Sequence, residues 1–204
     1  MRLMSKNFIF TSESVCAGHP DKICDSISDS ILDAVLNEDK YGKVAVECLV
    51  AKDKLIIAGE ISTTAKINFE QIARKRIKDL GYINPDFNFS DKSDIQIHVH
   101  EQSPEIARGV KKKGAGDQGM MFGFACRETK NLMPLPISIA HKLAERLDES
   151  KQKLKYLRPD GKTQVTIEYK NGIPNKISQV VIAAPHGENV KLGQVKEDIF
   201  KHCS

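Results

Sequence analysis

Two apolar stretches only two residues apart constrain this chain most. Residues 44–51, VAVECLVA, and 54–63, KLIIAGEIST, read as two strands joined by a tight turn around Asp53. Strands so closely linked must pair antiparallel, because a parallel pair needs a long crossover. Around this hairpin lie segments with helical spacing. Pro20 suits a first helical turn, and Ile23, Ile27, Ile31, Ala34 and Val35 then form one apolar stripe. FEQIARKRIKDLG (69–81) predicts an amphipathic helix stopped at Gly81. PISIAHKLAERLDES (136–150) predicts another, with Ile139, Leu143 and Leu147 on one face, and VKLGQVKEDIFKHC (190–203) a last one. Phe8–Phe10 is a short apolar run, after which TSESV is expected to turn the chain. IQIHVHE, MMFGFAC, TQVTIEY and ISQVVIAA are read as further strands. Hairpins followed by helices, with little βαβ alternation, predict an α+β fold of mostly antiparallel sheet. Two blocks, near 8–100 and 115–204, resemble one another loosely, with a Gly/Lys loop between them as the natural boundary.

Composition excludes several classes. The chain has 204 residues, 40% hydrophobic and 28% charged, which is globular rather than disordered. No apolar run approaches the length of a membrane span, and the first residues lack the pattern of a signal peptide. The five cysteines are odd in number and form no CxxC pair, so neither a disulfide framework nor a zinc cage is expected, and a cytoplasmic, reducing location is. The net charge of +4, without Trp or aromatics among the basic stretches, gives no base-stacking surface for nucleic acid. It suits a small anionic substrate.

The loop KKKGAGDQGMMFG (111–123) carries a literal G-x-G-x-x-G in Gly114, Gly116 and Gly119. A dinucleotide site needs that motif after a strand and before a helix, and here lysines precede it and an extended segment follows. Asp117 would also stand where a pyrophosphate approaches. Gly109 and Gly114 have P-loop spacing, but Ala115 and Gly116 stand where Lys and Ser/Thr are required. On composition the loop reads as a hinge between blocks, with Asp117 capping a turn.

GHPDK (18–22) sets His19, Asp21 and Lys22 at a helix entrance, where free N–H groups attract anions. Asp21 either satisfies the first turn or holds a metal that bridges phosphate. Asp21, Asp25, Asp29 and Asp33, spaced by four, share a helix face. Glu47 and Glu60 interrupt apolar strands: each is either an exposed edge carboxylate or a buried one that needs a cation. His98 and His100 share a strand face and lack a third ligand, so they are read as surface histidines. RPDGK (158–162) is a turn that gathers Arg158, Asp160 and Lys162.

Together, FTSESVCAGHPDKICDSISDSILDA (10–34), GEISTTA (59–65), QSPEIARGV (102–110), GAGDQGMMFGFA (114–125), LMPLPISIAHKL (132–143) and LRPDGKTQVT (157–166) resemble the methionine adenosyltransferase, or S-adenosylmethionine synthetase, family. The resemblance covers essentially the whole chain from Phe8. It implies repeated α+β domains with helices packed on one sheet face. It implies domains at 6–104 and 114–204, joined by a gating loop at 105–113. The implied reaction is attack of the methionine sulfur on C5′ of ATP, with release of tripolyphosphate that is then cleaved to phosphate and diphosphate. His19 and Lys162 would be catalytic; His19, Asp160, Gly161 and Lys162 would bind ATP. Glu60, Gln102 and Asp117 would bind L-methionine, so Asp117 faces an ammonium rather than phosphate. Asp21 would bind Mg²⁺ and Glu47 K⁺. A homodimer or homotetramer with active sites at subunit interfaces is expected, without nucleic-acid or membrane partners. The gating loop is several residues shorter than expected between Val110 and Gly114, and Gly161 stands where alanine is common. Family members are about twice as long and carry further phosphate ligands in a later half. The chain is therefore expected to be an N-terminal part with the central domain cut short. The alternative is a truncated, non-catalytic module that binds nucleotide or dimerises.

Overall fold

The structure, a computed structural model, describes residues 7–101 and 119–203. The described chain divides into two compact units, one of residues 1–19 with 123–204 and the other of residues 20–122. Both are α+β, and among the described residues three of the four strand pairings are antiparallel.

In the unit of residues 20–122, helix α1 (Pro20–Glu38) buries Ile23, Ile27, Ile31 and Val35, one residue per turn. Full burial of each isoleucine stabilises by about 1.5–3 kcal/mol. The stripe packs against Val46, Leu55 and Ile57 of β2 (Lys43–Ala51) and β3 (Lys54–Ser62), and against Ala73 and Ile77 of α2 (Phe69–Asp79). The hairpin closes through Lys52 and Asp53, with Asp53 at a φ of 52°. Gly59, at a φ of 144°, lies so close to the Ala45 carbonyl that a Cβ would overlap it. Asn68 caps α2 by accepting from the Gln71 amide at 3.0 Å. Strand β4 (Asp94–Glu101) then runs parallel to β3, reached through α2, so one βαβ unit sits in the otherwise antiparallel scheme.

In the other unit, β1 (Phe8–Val15) pairs antiparallel with β5 (Lys162–Lys170), which pairs antiparallel with β6 (Ile173–Ala183). The expected turn at TSESV is not there: residues 8–15 form one strand, in register with β5 along its whole length. The central strand β5 buries Thr163, Val165, Ile167 and Tyr169 beneath helix α3 (Leu135–Lys151), which packs through Ala140, Ala144 and Leu147. Ile139 and Leu143 are half-buried on that same side. Helix α4 (Leu192–Cys203) adds Val195, Ile199 and Cys203. Residues 119–126, expected to contain a strand, form none; the Cys126 amide instead donates to the Leu132 carbonyl at 2.9 Å, closing a loop. The first amide of α3, Leu135, is capped by Glu128 Oε2 at 2.8 Å, and the same oxygen accepts the Tyr169 hydroxyl at 2.8 Å.

The gating loop 105–113 lies outside the described residues. None of the described helices is long and apolar enough to cross a membrane, and none of the five cysteines is in a disulfide.

Candidate functional site

Two loops of the β1–β5–β6 unit lie against one another. Where the chain leaves β1, the Cys16 amide donates to the Gly161 carbonyl at 2.9 Å. The His19 amide then donates back to the Cys16 carbonyl at 3.0 Å, making a tight turn. Glycine permits the approach from both sides. A Cβ on Gly18 would overlap the carbonyl of Pro159, and one on Gly161 would sit 2.8 Å from Cys16 Sγ and 2.9 Å from Leu147 Cδ2. His19 is thereby brought to the same end of the unit as Asp160, Gly161 and Lys162, although some 140 residues separate them in the chain. Asp160 turns its Oδ1 onto the Gly161 amide at 2.6 Å. Lys162, at the start of β5, holds its Nζ 3.3 Å from Glu13 of β1.

Cys16 fills the space between the loops. It is fully buried, its Sγ is 3.6 Å from the Ala144 carbonyl, and burial pushes its thiol up to about 11. Such a thiol packs; it is not a nucleophile at neutral pH.

The remaining expected residues fall in the unit of residues 20–122 or outside the described ones. Asp21 is exposed in the first turn of α1, where its charge complements the helix dipole. Asp25, Asp29 and Asp33 are exposed along the same helix. Glu47 is exposed and Glu60 half-buried, on the sheet face opposite the one that α1 covers. In register Glu60 stands beside Ala45, and Glu47 beside Ala58. His98 and His100 are exposed and occupy the same face, beside Ala58 and Glu60. Past Glu60, the end of β3 opens on a groove of ≈ 670 Å³ lined by residues that include Thr63, Lys66 and Glu101, but not Glu60 itself. Gln102 and Asp117 lie outside the described residues.

Among the described residues no three His, Cys, Asp or Glu side chains cluster as a metal cage. Asp21 would suit Mg²⁺ as a single exposed carboxylate, since that ion commonly takes one or two carboxylates together with phosphate oxygens and water. Glu47, flanked by alanine in register, fits K⁺ only as one member of a larger oxygen set.

Sequence reading missed three polar residues that contact the loop pair from β1 and α3: Glu13, Asp148 and Lys151. Glu13 sits in the TSESV segment that was expected to turn. Asp148 and Lys151 are spaced three apart on a helix, which marks an ion pair but not its backbone partners.

Comparison with known proteins bears on these features. The model of the S-adenosylmethionine synthetase N-terminal domain matches residues 7–104, and that of the central domain matches residues 112–204. These regions divide the chain differently from the compact units, because β1 pairs with β5. An S-adenosylmethionine synthase of Maridesulfovibrio salexigens is 52% identical over 200 residues, covering 94% of this chain and 51% of the relative. Those of Trichodesmium erythraeum and Nostoc punctiforme are 45% and 47% identical, covering 98% and 96% of this chain and 54% and 50% of theirs. The chain thus spans about half the length of the curated relatives it matches. With two successive domains of one family matched across nearly all of its residues, the chain belongs to the S-adenosylmethionine synthetase family.

Proposed function

We propose that this chain contributes ATP- and methionine-binding parts of an enzyme that forms S-adenosylmethionine. The sulfur lone pair of L-methionine forms a bond to C5′ of ATP, the C5′–O bond breaks, and its electrons leave on tripolyphosphate. Water then cleaves the tripolyphosphate to phosphate and diphosphate before release. A neutral thioether needs no general base, so the demand falls on the leaving group, whose growing charge must be met by cations.

The observation that carries this reading is the Cys16–Gly161 hydrogen bond, which joins the loop bearing His19 to the loop bearing Asp160 and Lys162. In the proposal Lys162 exchanges its Glu13 partner for phosphate oxygens, and His19 donates toward the departing oxygen. Asp160 and the Gly161 backbone hold the nucleotide. Glu60, Gln102 and Asp117 hold methionine, with a carboxylate on its ammonium. Asp21 would ligate Mg²⁺ and Glu47 K⁺; bound there, these ions supply charge that neutralises the polyphosphate. A homodimer or homotetramer with sites at subunit interfaces, in the cytoplasm, completes the proposal.

A second reading is a non-catalytic module that binds nucleotide or dimerises, for which the same joined loops would suffice. Incubation with ATP, Mg²⁺ and L-methionine separates the two. The first reading expects a sulfonium product with matching phosphate and diphosphate; ATP binding without either product selects the second.

A further inference from the structure

We infer that Asp148 and Lys151 of α3 are a positioning pair, which holds the His19 loop and the Asp160–Lys162 loop in fixed relation for polyphosphate binding. The inference rests on the function proposed above and adds to it two residues that are not among the proposed ligand contacts.

Each group of the pair has two partners. Asp148 Oδ2 accepts the Ala17 amide at 2.8 Å, and Oδ1 accepts Lys151 Nζ at 2.8 Å. Lys151 Nζ also donates to the Pro159 carbonyl at 2.5 Å. One ion pair therefore grips the backbone of both loops, Ala17 two residues before His19 and Pro159 next to Asp160. The Lys151 side chain is only 13% exposed and that of Asp148 32%. An ammonium so withdrawn from water requires a carboxylate and further oxygen partners, and here it has both. Hydrogen bonds with an ionised member are shorter and about twice as strong as neutral ones. The pair stands on a rigid base: Ala144 and Leu147 of the same helix pack on Cys16 within one core.

The grip is on main chain rather than on His19 or Lys162 themselves. Breaking it would leave those side chains chemically intact and let their loops drift apart. Loss of position reduces affinity for a ligand that must touch both loops, and spares a ligand that touches neither.

The test uses the 204-residue chain with Asp148→Ala and Lys151→Gln, and Lys151→Arg as the conservative exchange. Amide hydrogen exchange is followed at Ala17 and Gly161, and binding of ATP with Mg²⁺ by calorimetry. Both disruptive variants are expected to speed Ala17 exchange about tenfold and to weaken ATP binding about tenfold, the effect of one lost charge-assisted bond. L-Methionine binding should change less than about twofold, and Lys151→Arg should restore most of the ATP affinity. Unchanged Ala17 exchange in a folded variant overturns the inference. So does an equal acceleration throughout α3 and β5, which would mark a general loss of stability. If one variant fails to fold, the other decides; if neither folds, the pair is structural and the positioning role falls. Failure of the unaltered chain to bind ATP counts against the proposed function, and Ala17 exchange still decides whether the pair holds the loops.

Discussion

Lys162 Nζ and Glu13 Oε2 face each other at 3.3 Å across the β1–β5 pair, with both side chains about half exposed. An ion pair so open to water contributes at most about 1 kcal/mol. Glu13→Gln should therefore leave the denaturation midpoint nearly unchanged. It should tighten ATP binding about two- to fivefold at low salt, because a competing anion is removed from Lys162. Lys162→Ala should weaken ATP binding about tenfold or more. A Glu13→Gln variant that binds ATP more weakly would show that the carboxylate serves the ligand directly. Isothermal titration at two salt concentrations checks both.

Gly161 is a steric partner of Cys16. A Cβ there would lie 2.8 Å from Sγ and 2.9 Å from Leu147 Cδ2, closer than side chains tolerate. Gly161→Ala is expected to destabilise by about 1–3 kcal/mol, the range for overpacked cores. Combined with Cys16→Ala, which removes the sulfur, the loss should be smaller than the sum of the two single changes. Urea unfolding of the four proteins of this cycle measures the coupling, and strict additivity would refute the pairing.

Gly18 differs from Gly161 in what it meets. Its Cβ would overlap the backbone of Pro159, which cannot rotate away as a side chain can. Gly18→Ala is accordingly expected to separate the loops, lowering ATP affinity in a chain that remains folded. A variant with native affinity and native Ala17 exchange would show that the loops move apart without consequence.

Asp39 offers a pH readout. Its carboxylate accepts the Thr64 amide at 2.9 Å, the Thr63 hydroxyl at 2.8 Å and the Tyr41 amide at 3.1 Å, and these bonds lower its pKa to about 2. A depressed carboxylate pKa stabilises the folded state above the unfolded value, near 3.8. That contribution declines as pH falls from there through about 2. Asp39→Asn should thus be less stable than the unaltered chain at pH 6, with the difference shrinking below pH ~3.8. Thermal midpoints between those pH values test it; a constant difference would assign the effect to packing.

Much of the unit of residues 20–122 was legible in the sequence. The four-residue spacing of Ile23, Ile27, Ile31 and Val35 states which face of α1 is buried, and two residues between apolar runs dictate the β2–β3 hairpin. A signal for the other hairpin was present and overlooked: Asn171–Gly172, with φ of 52° and 77°, is the residue pair that a tight two-residue turn favours. The likeness of GHPDK and RPDGK to a known family singled out His19, Asp160 and Lys162, but gave no account of what holds them.

The sequence by itself determined the periodic elements and the residue types suited to a polyphosphate, because both are local properties of the chain. Tertiary structure alone decided that TSESV continues a strand, that β1 pairs with β5 about 150 residues away, and that Asp148 and Lys151 grip two loops. The physical reason is range. Helical and strand spacing reports which face is apolar, whereas a partner for a strand or a buried charge is set by whichever distant backbone comes to lie opposite it.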